Sequence, residues 1–490
     1  MAEKEKGIEM ESQVGLTGGE EGGISAAALA KPNSFTYIAI LVAMLGAMMF
    51  GLDQGNFGNV QGFEDFQRYW CIDRYGTEET CVGSAGATNN KWQENFVLWG
   101  ACLITFGAAA GGLLVGPPIA SRMGRRPCIA IGALMCVVGC VLASFASFGV
   151  VAIFMIGRFV TGFGVGVACF ALPMYNSEVA TPGIRGATGS LFQFNVVIGS
   201  FIATVITLFV HNWHIGIMLP AIPGVIIAFA IFVVPESPRF LMKKKGYDAG
   251  IAALRKVRSG DVTAEAKEID ETLQEEASAG AVSWGELFRG NLGKRVFIGC
   301  FLQIAQQLTG VNAFLGYAST IFGNLGITDP LLFNCIFNAV MVVGVVAGLL
   351  LLDAKAGGRR KQLMGATFLM GPALLIAGLA FIFNWPGIIT MVCLCIYGLG
   401  FQLAWGMIPW IYPSEIYSMA ERDRAVSLSV FWQYIFNAVI VFATPHLMGW
   451  SVGYTMLVFA ALNIVNLLFV LFFIKETKGV PLEEIPALFK

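Results

Sequence analysis

The sequence predicts an all-α membrane protein: twelve transmembrane helices in two pseudo-symmetric six-helix halves, with cytosolic helices between the halves. Three observations predict it. Of the 490 residues, 56% are hydrophobic and only 13% charged, whereas soluble chains carry about 25% charge. The apolar residues fall in runs long enough to cross a bilayer, which takes ~20 residues. The charged segments between those runs recur. SRMGRRP (121–127), SEVATPGIRG (177–186) and PESPRF (235–240) have counterparts in KAGGRRK (355–361), SEIYSMAERDRA (414–425) and KETKG (475–479). Gly358 follows Gly124 by 234 residues, Glu415 follows Glu178 by 237, and Glu476 follows Glu236 by 240. Internal repetition of charged loops between apolar helices marks a transporter built from two membrane-embedded halves.

In order, spans are expected near 36–58, 94–117, 127–148, 150–174, 187–210, 214–234, 295–322, 331–352, 362–383, 387–412, 425–446 and 452–474. The chain divides accordingly into a first bundle (35–235), a helical linker (236–294), a second bundle (295–475) and a short C-terminal tail (476–490). Residues 1–34 are polar and Gly/Glu/Ala-rich without an apolar core. They read as a disordered tail rather than a signal peptide. Twelve spans put both termini on one side. Arg122, Arg125, Arg126, Arg185, Lys243, Lys244, Lys245, Arg359, Arg360, Lys361, Arg422 and Arg424 all fall on that side, and the opposite loops HNWHIG, GNLGITDP, NWPG and MGWSVG carry almost no Lys or Arg. By the positive-inside rule the tails and linker are cytosolic and the 59–93 loop is outside.

Composition excludes other classes. A net charge of -1 offers no surface for nucleic acid, and three histidines form no ligand pattern. No catalytic constellation is present, so the protein reads as no enzyme, and no cofactor or metal is expected. GFGVGV (162–167) resembles a dinucleotide loop, but its place inside an apolar span makes it a small-residue packing surface. Most of the eleven cysteines sit in apolar runs, where a thiol acts as a small hydrophobe. Cys71 and Cys81 instead share a polar loop. If that loop faces an oxidising compartment they are expected as a local disulfide; the other reading is two free thiols.

Charged and amide side chains inside a membrane are expensive, roughly 2.5–3.5 kcal/mol for a charge, and normally face a polar cavity. Asp53 in the first span (FGLDQGN) and Arg158 in the fourth (IGRFVTGFGVG) invite pairing. Burial favours the neutral carboxyl and Arg158 the charged one, so the pair suits proton binding and release, or else a permanent structural ion pair. The spans also carry Gln193, Gln306, Gln307, Asn312, Asn338, Gln402, Gln433 and Asn437. On one regular helix Gln306 and Asn312 would lie about 240° apart, and Gln307 and Asn312 about 140°. They cannot share a narrow stripe, so some are expected in helix–helix bonds. Neutral amides with Phe401, Trp405 and Trp410 suit an uncharged ligand rich in hydroxyls.

These segments resemble one family. RMGRRP, GRFVTGFGVG, SEVATPGIRG, PESPRF, QQLTGVN, GMIPWIYPSEIY and ETKG together resemble the sugar porters of the major facilitator superfamily, over nearly all of residues 36–480. The resemblance implies that two bundles rock about one central site. It implies sugar contacts at Gln193, Gln306, Gln307, Asn312 and Trp410, with Phe401, Gln402, Gly406, Gln433 and Asn437 nearby and Tyr317 and Asn338 in the same set. It implies ion-pair networks in which Glu178 with Arg185, and Glu415 with Arg422, join Arg125, Arg126, Arg359 and Arg360; Glu236, Arg239 and Glu476 complete them. Proton-coupled members carry Asp and Arg where Asp53 and Arg158 stand. The chain departs from the family pattern at Ser121, Lys355 and Gly316.

The expected function is a proton-coupled hexose symporter, multi-pass in a plasma membrane, whose partners are a monosaccharide, a proton and the lipid bilayer. A facilitative uniporter and a non-transporting sugar sensor are the rivals. A monomer suffices for either kind of transport.

Overall fold

Among the described residues, eleven helices are long and apolar enough to cross a membrane. They are α1 (Ser34–Val60), α2 (Asn90–Arg122), α3 (Arg125–Ser144), α4 (Val151–Val179), α5 (Pro182–Phe209), α6 (Trp213–Ala230), α8 (Pro330–Leu352), α9 (Arg359–Ile382), α10 (Gly387–Ile416), α11 (Met419–Trp450) and α12 (Val452–Phe473). The computed structural model describes residues 31–490 apart from 84–85, 87–88, 147–148, 280–281, 318–320, 322–328, 353, 355–356, 479, 481–484 and 490; the side chains of 182–183, 185–187, 276–277, 279 and 419–420 also lie outside the description. Most of the expected N-terminal tail, residues 1–30, is therefore outside it.

The twelfth position belongs to α7, expected as one span near 295–322. It is broken instead: Gly290–Leu308 is followed by a second segment, Val311–Gly316. Gly310 between them has φ 94°, a left-handed conformation that only a residue without Cβ adopts freely. Lys294, Arg295, Gln303, Gln306 and Gln307 dilute the first segment, which explains its absence from the eleven. Irregular backbone at membrane depth is tolerated where protein or a cavity surrounds it.

Helix pairing repeats between the halves. α1 packs on α5 as α7 does on α11, α3 on α4 as α9 on α10, and α3 on α6 as α9 on α12. Across the halves, α5 meets α8 and α11 meets α2, contacts that exchange under the same six-helix offset. The GFGVGV stretch does pack closely. A side chain at Gly162 would run into the Ile104 carbonyl of α2, and one at Gly166 into the Ala108 carbonyl, so α2 and α4 touch backbone to backbone.

Among its described residues the linker holds three α-helices before α7, Pro238–Lys245, Tyr247–Val257 and Thr263–Ala279. Met242, Leu254, Val262 and Ala266 form a small apolar cluster between them. Buried Arg258 clamps Glu265 at 2.9 and 3.0 Å and donates to the Val179 carbonyl at 2.7 Å, tying the linker to α4. A two-stranded antiparallel sheet joins β1 (Lys31–Pro32) to β2 (Arg258–Ser259). Next to it Asn33 caps α1 at Thr36 and donates to the Lys256 carbonyl at 2.8 Å. Residues 31–34 were expected in the disordered tail; they are ordered because linker carbonyls and amides pair with them. A two-residue strand leaves no periodicity to read.

On the opposite face Phe66 and Trp70, in the loop after α1, pack against Trp92, Phe96, Phe154 and Trp213, all buried. Cys71 and Cys81 lie there with Cα atoms 5.7 Å apart, within the range a disulfide requires.

Candidate functional site

The break in α7 and the prolines of α10 together build a polar chamber between the halves. In a regular helix the carbonyl of Trp405 would accept from residue 409, which is Pro409 and has no N–H. That carbonyl accepts instead from Gln306 Nε2 at 2.6 Å. The Pro409 carbonyl loses its own partner to Pro413 in the same way and accepts from Gln303 Nε2 at 2.9 Å. A π-helical turn, Phe401–Trp405, precedes the first proline, a distortion frequent at functional sites. Gln306 Oε1 then accepts from Gln433 Nε2 of α11 at 2.5 Å. Asn312 Nδ2 donates to Gln307 Oε1 at 2.5 Å across the Gly310 break, and Gln193 Nε2 of α5 donates to Gln402 Oε1 at 3.2 Å. Trp410 lies against Phe192, ring centroids 5.1 Å apart.

One cavity is lined by Gln193, Gln306, Gln307, Asn312, Phe401, Gln402, Trp410 and Gln433. Gln306, Gln307 and Asn312 thus line one cavity, although a regular helix would spread them, while Gln306 also makes the helix–helix bonds that the wheel leads one to expect. The wheel assumes an unbroken helix, and Gly310 re-aims the second segment. Gly406 lies within contact of Gln402 and Gln193, where a Cβ would collide. Asn437 lines a second, adjoining cavity with Asp53, Arg158, Thr105 and Tyr434. Phe50, Gln54, Asn312 and Leu315 line both.

Three expected residues, Gly406, Tyr317 and Asn338, lie outside both linings. Buried Tyr317 donates to the Val441 carbonyl at 3.0 Å. Asn338 belongs to a chain of neutral bonds between the halves. Its Oδ1 accepts from Ser200 at 2.7 Å, and its Nδ2 donates to Asn334 Oδ1 at 3.0 Å. Asn334 donates to Asn59 at 2.6 Å, and Asn59 to Thr207 at 2.7 Å. This chain joins α1, α5 and α8 on the side of the 61–89 loop. The sequence reading also missed Gln54 and Phe50, although Gln54 stands in the FGLDQGN segment that carries Asp53.

Asp53 and Arg158 meet as expected, Nη1 to Oδ1 at 2.9 Å, with 9% and 3% of their side chains exposed. Arg158 also donates to the Gly100 carbonyl at 2.9 Å and sits 4.3 Å from the Phe57 ring centroid, a favourable cation–π arrangement. The ion pair forms part of the wall beside the amide chamber.

On the linker side the duplicated cassettes fold alike. Arg125 holds Glu178 at 2.7 and 3.0 Å, and Arg359 holds Glu415 at 2.7 Å. Glu236 accepts from the backbone N–H groups of Arg125 and Arg126, both at 3.1 Å; Glu476 accepts from those of Arg359 and Arg360 at 2.8 and 3.2 Å. Each glutamate therefore sits at a helix N-terminus, where orphan donors and the dipole favour an anion, and the Arg125 charge acts on Glu236 as well. Burial pushes the Glu236 carboxyl above its ordinary range, against the pull of the N–H groups of Ser237, Arg126 and Arg125. Arg126 reaches the Ile231 carbonyl and Arg360 that of Leu471. Glu415 is taken by Arg359 and Thr477, while Arg422 donates to the Tyr417 carbonyl at 3.3 Å. The Arg185 side chain lies outside the described residues. The Arg125–Glu178 and Arg359–Glu415 pairs each stay within one half; Asp423 on α11 lies near enough to Arg125 of the first half, and to Arg239 and Lys243 of the linker, for their charges to act on it.

Two half-bundles repeating one packing pattern around a chamber walled by both define a membrane transporter of the major facilitator fold. The chain belongs to that superfamily's sugar transporter family: the family described as Sugar (and other) transporter matches residues 39–489. It is a multi-pass integral membrane protein that carries sugar and is not an enzyme. The high-affinity glucose transporter ght2 of Schizosaccharomyces pombe is 28% identical over 482 residues, covering 93% of this chain and 88% of that one. The pig facilitated glucose transporter member 2 is 29% identical over 492 residues, covering 92% and 93%. The proton:xylose symporter XylE bound to 6-bromo-6-deoxy-D-glucose superimposes with a TM-score of 0.76 at 26% identity, over 94% of this chain and 100% of that one.

Proposed function

We propose that the protein is a proton-coupled monosaccharide symporter that takes up a hexose by alternating access. The observation that carries this reading is the buried 2.9 Å Asp53–Arg158 pair, set beside the amide-lined chamber. The residues 35–235 and 295–475 act as the two moving bundles. Gln193, Gln306, Gln307, Asn312, Gln402, Gln433 and Asn437 exchange amide–amide bonds for bonds to sugar hydroxyls, and Trp410 covers the apolar C–H face of the ring. Neither cavity lining holds a cationic or anionic cluster beyond the single pair, which favours an uncharged cargo. The relatives named for glucose support a hexose; the likeness to a proton:xylose symporter supports the coupling.

Protonation of Asp53 weakens its hold on Arg158, freeing α1 to move against α4 and to enclose the sugar. Deprotonation on the other side restores the pair and favours release. The Glu178–Arg125 and Glu415–Arg359 pairs, capped by Glu236 and Glu476, make each half's linker-side end rigid, and we assign that side to the cytosol of a plasma membrane on its Lys and Arg content. Proteoliposomes with an imposed pH gradient test the coupling. Radiolabelled glucose is expected to accumulate inside and to leak back on adding a protonophore. Equilibration without accumulation, with or without protonophore, would make the protein a facilitative uniporter.

We also assign Cys71 and Cys81 to a disulfide in the external loop. Maleimide labelling of denatured protein should then count two further thiols after reduction; an unchanged count would leave both cysteines free.

A further inference from the structure

We propose that Gln54 is a positioning residue that competes with sugar for Asn312 and thereby transmits the state of the Asp53–Arg158 pair to the sugar site. The proton part of this inference rests on the symport reading above; the competition does not.

Gln54 Nε2 donates to Asn312 Oδ1 at 3.1 Å. That bond crosses from α1 in one half to the second segment of α7 in the other. Asn312 Nδ2 is already committed to Gln307 Oε1 at 2.5 Å, so Gln54 and Gln307 hold both ends of the amide. A sugar hydroxyl donating to Asn312 Oδ1 in the same direction must displace Gln54 or share the oxygen with it. Gln54 lines both cavities, the one walled by the ion pair and the one walled by the sugar amides. Asp53 is its neighbour in sequence.

The backbone of α1 explains how a change at Asp53 would reach Gln54. Side chains at Gly51 and Gly55 would run into the Val196 and Ser200 carbonyls of α5. With so little room, α1 responds as a stiff rod rather than by local twisting. The rod meets the second α7 segment at three heights: Gln54 on Asn312, Gly58 against the Leu315 carbonyl, and Gln61 Nε2 on the Gly316 carbonyl at 2.5 Å. Of these contacts, only the first involves an amide of the sugar chamber. A shift of α1 after Asp53 is protonated draws Gln54 off Asn312 and opens its oxygen to sugar. With Asp53 charged and paired, Gln54 returns and raises the effective cost of binding.

Gln54→Met keeps the length and removes the donor; Gln54→Leu is the second variant, and both are taken forward only with wild-type elution profiles. Glucose affinity is measured by calorimetry on purified protein at two pH values spanning the wild-type change. A neutral hydrogen bond that no longer competes predicts affinity about two- to tenfold tighter in Gln54→Met at the higher pH, with the wild-type pH dependence flattened. The gain should vanish when Asn312→Ala is added. A merely structural role predicts weaker binding, and unchanged or weaker affinity in both variants overturns the proposal. Tighter binding with the full pH dependence retained overturns the link to Asp53. A wild type that never accumulates glucose defeats the symport reading instead, and the affinity gain then judges the competition by itself.

Discussion

Asp53→Asn is expected to abolish sugar accumulation while leaving sugar binding and exchange in place. Asparagine keeps the shape and can still accept a hydrogen bond from Arg158, so the helices keep their contact. It cannot change charge, so the pair can no longer cycle. In the symport reading one proton crosses with each sugar. A membrane potential of ~100 mV contributes about 2.3 kcal/mol and one pH unit about 1.4 kcal/mol. Together these support several-hundred-fold accumulation at roughly tenfold per 1.4 kcal/mol, and the variant should fall to about unity. The measurement is the steady-state ratio of inside to outside sugar in proteoliposomes, with counterflow exchange as the control for an intact site. Retained concentrative uptake would remove Asp53 from the role. Asp53→Ala makes a harsher comparison. It leaves Arg158 buried without its carboxylate, and breaking a buried pair by deleting one partner costs about 3–5 kcal/mol. Lower expression and lower thermal stability should set it apart from the asparagine variant.

The second large effect is expected at Gln306. Gln306→Ala should weaken glucose binding by about tenfold or more, and the protein should also melt at lower temperature. Gln306 fills a need created by Pro409: the Trp405 carbonyl has no helical partner and takes the amide of Gln306 at 2.6 Å. The same side chain orients Gln433 at 2.5 Å. Its loss leaves a buried carbonyl and a buried amide unpaired, each costing about 1–3 kcal/mol. The π-helical turn that carries Phe401 and Gln402 then loses its brace from α7. Scintillation proximity binding and a thermal melt in detergent read the two effects. Wild-type affinity together with a lowered melting temperature would place Gln306 in the scaffold rather than in contact with sugar.

Much of the architecture is legible in the chain because membrane helices obey a coarse rule. A bilayer demands long apolar runs, and charge is confined to their ends, so span count and duplication can be read directly. The pairing of Asp53 with Arg158 is legible for the same reason, since two isolated opposite charges at membrane depth have few other partners. The differences from the regular-helix and resemblance readings have local causes. A regular helical wheel separates Gln306 from Asn312, and one left-handed glycine invalidates it. Glu236 and Glu476 read as arginine partners, yet the backbone N–H groups at the starts of α3 and α9 hold them more directly. Asn338 and Tyr317 were expected at the sugar by resemblance. Here Asn338 is engaged by Ser200 and Asn334, and Tyr317 by the Val441 carbonyl.

By itself, the amino-acid order determined that this protein lives in a membrane, that its two halves repeat, and that neutral amides and one ion pair occupy its spans. Hydrophobicity and charge are properties of each residue, and the bilayer sorts them without reference to distant neighbours. Only the tertiary structure decided which amides face a common chamber and which bind helices together. It also brought Gln54 to Asn312, 258 positions away. That choice depends on where the helices break and which carbonyls prolines leave unpaired, and those carbonyls find their partners on other helices.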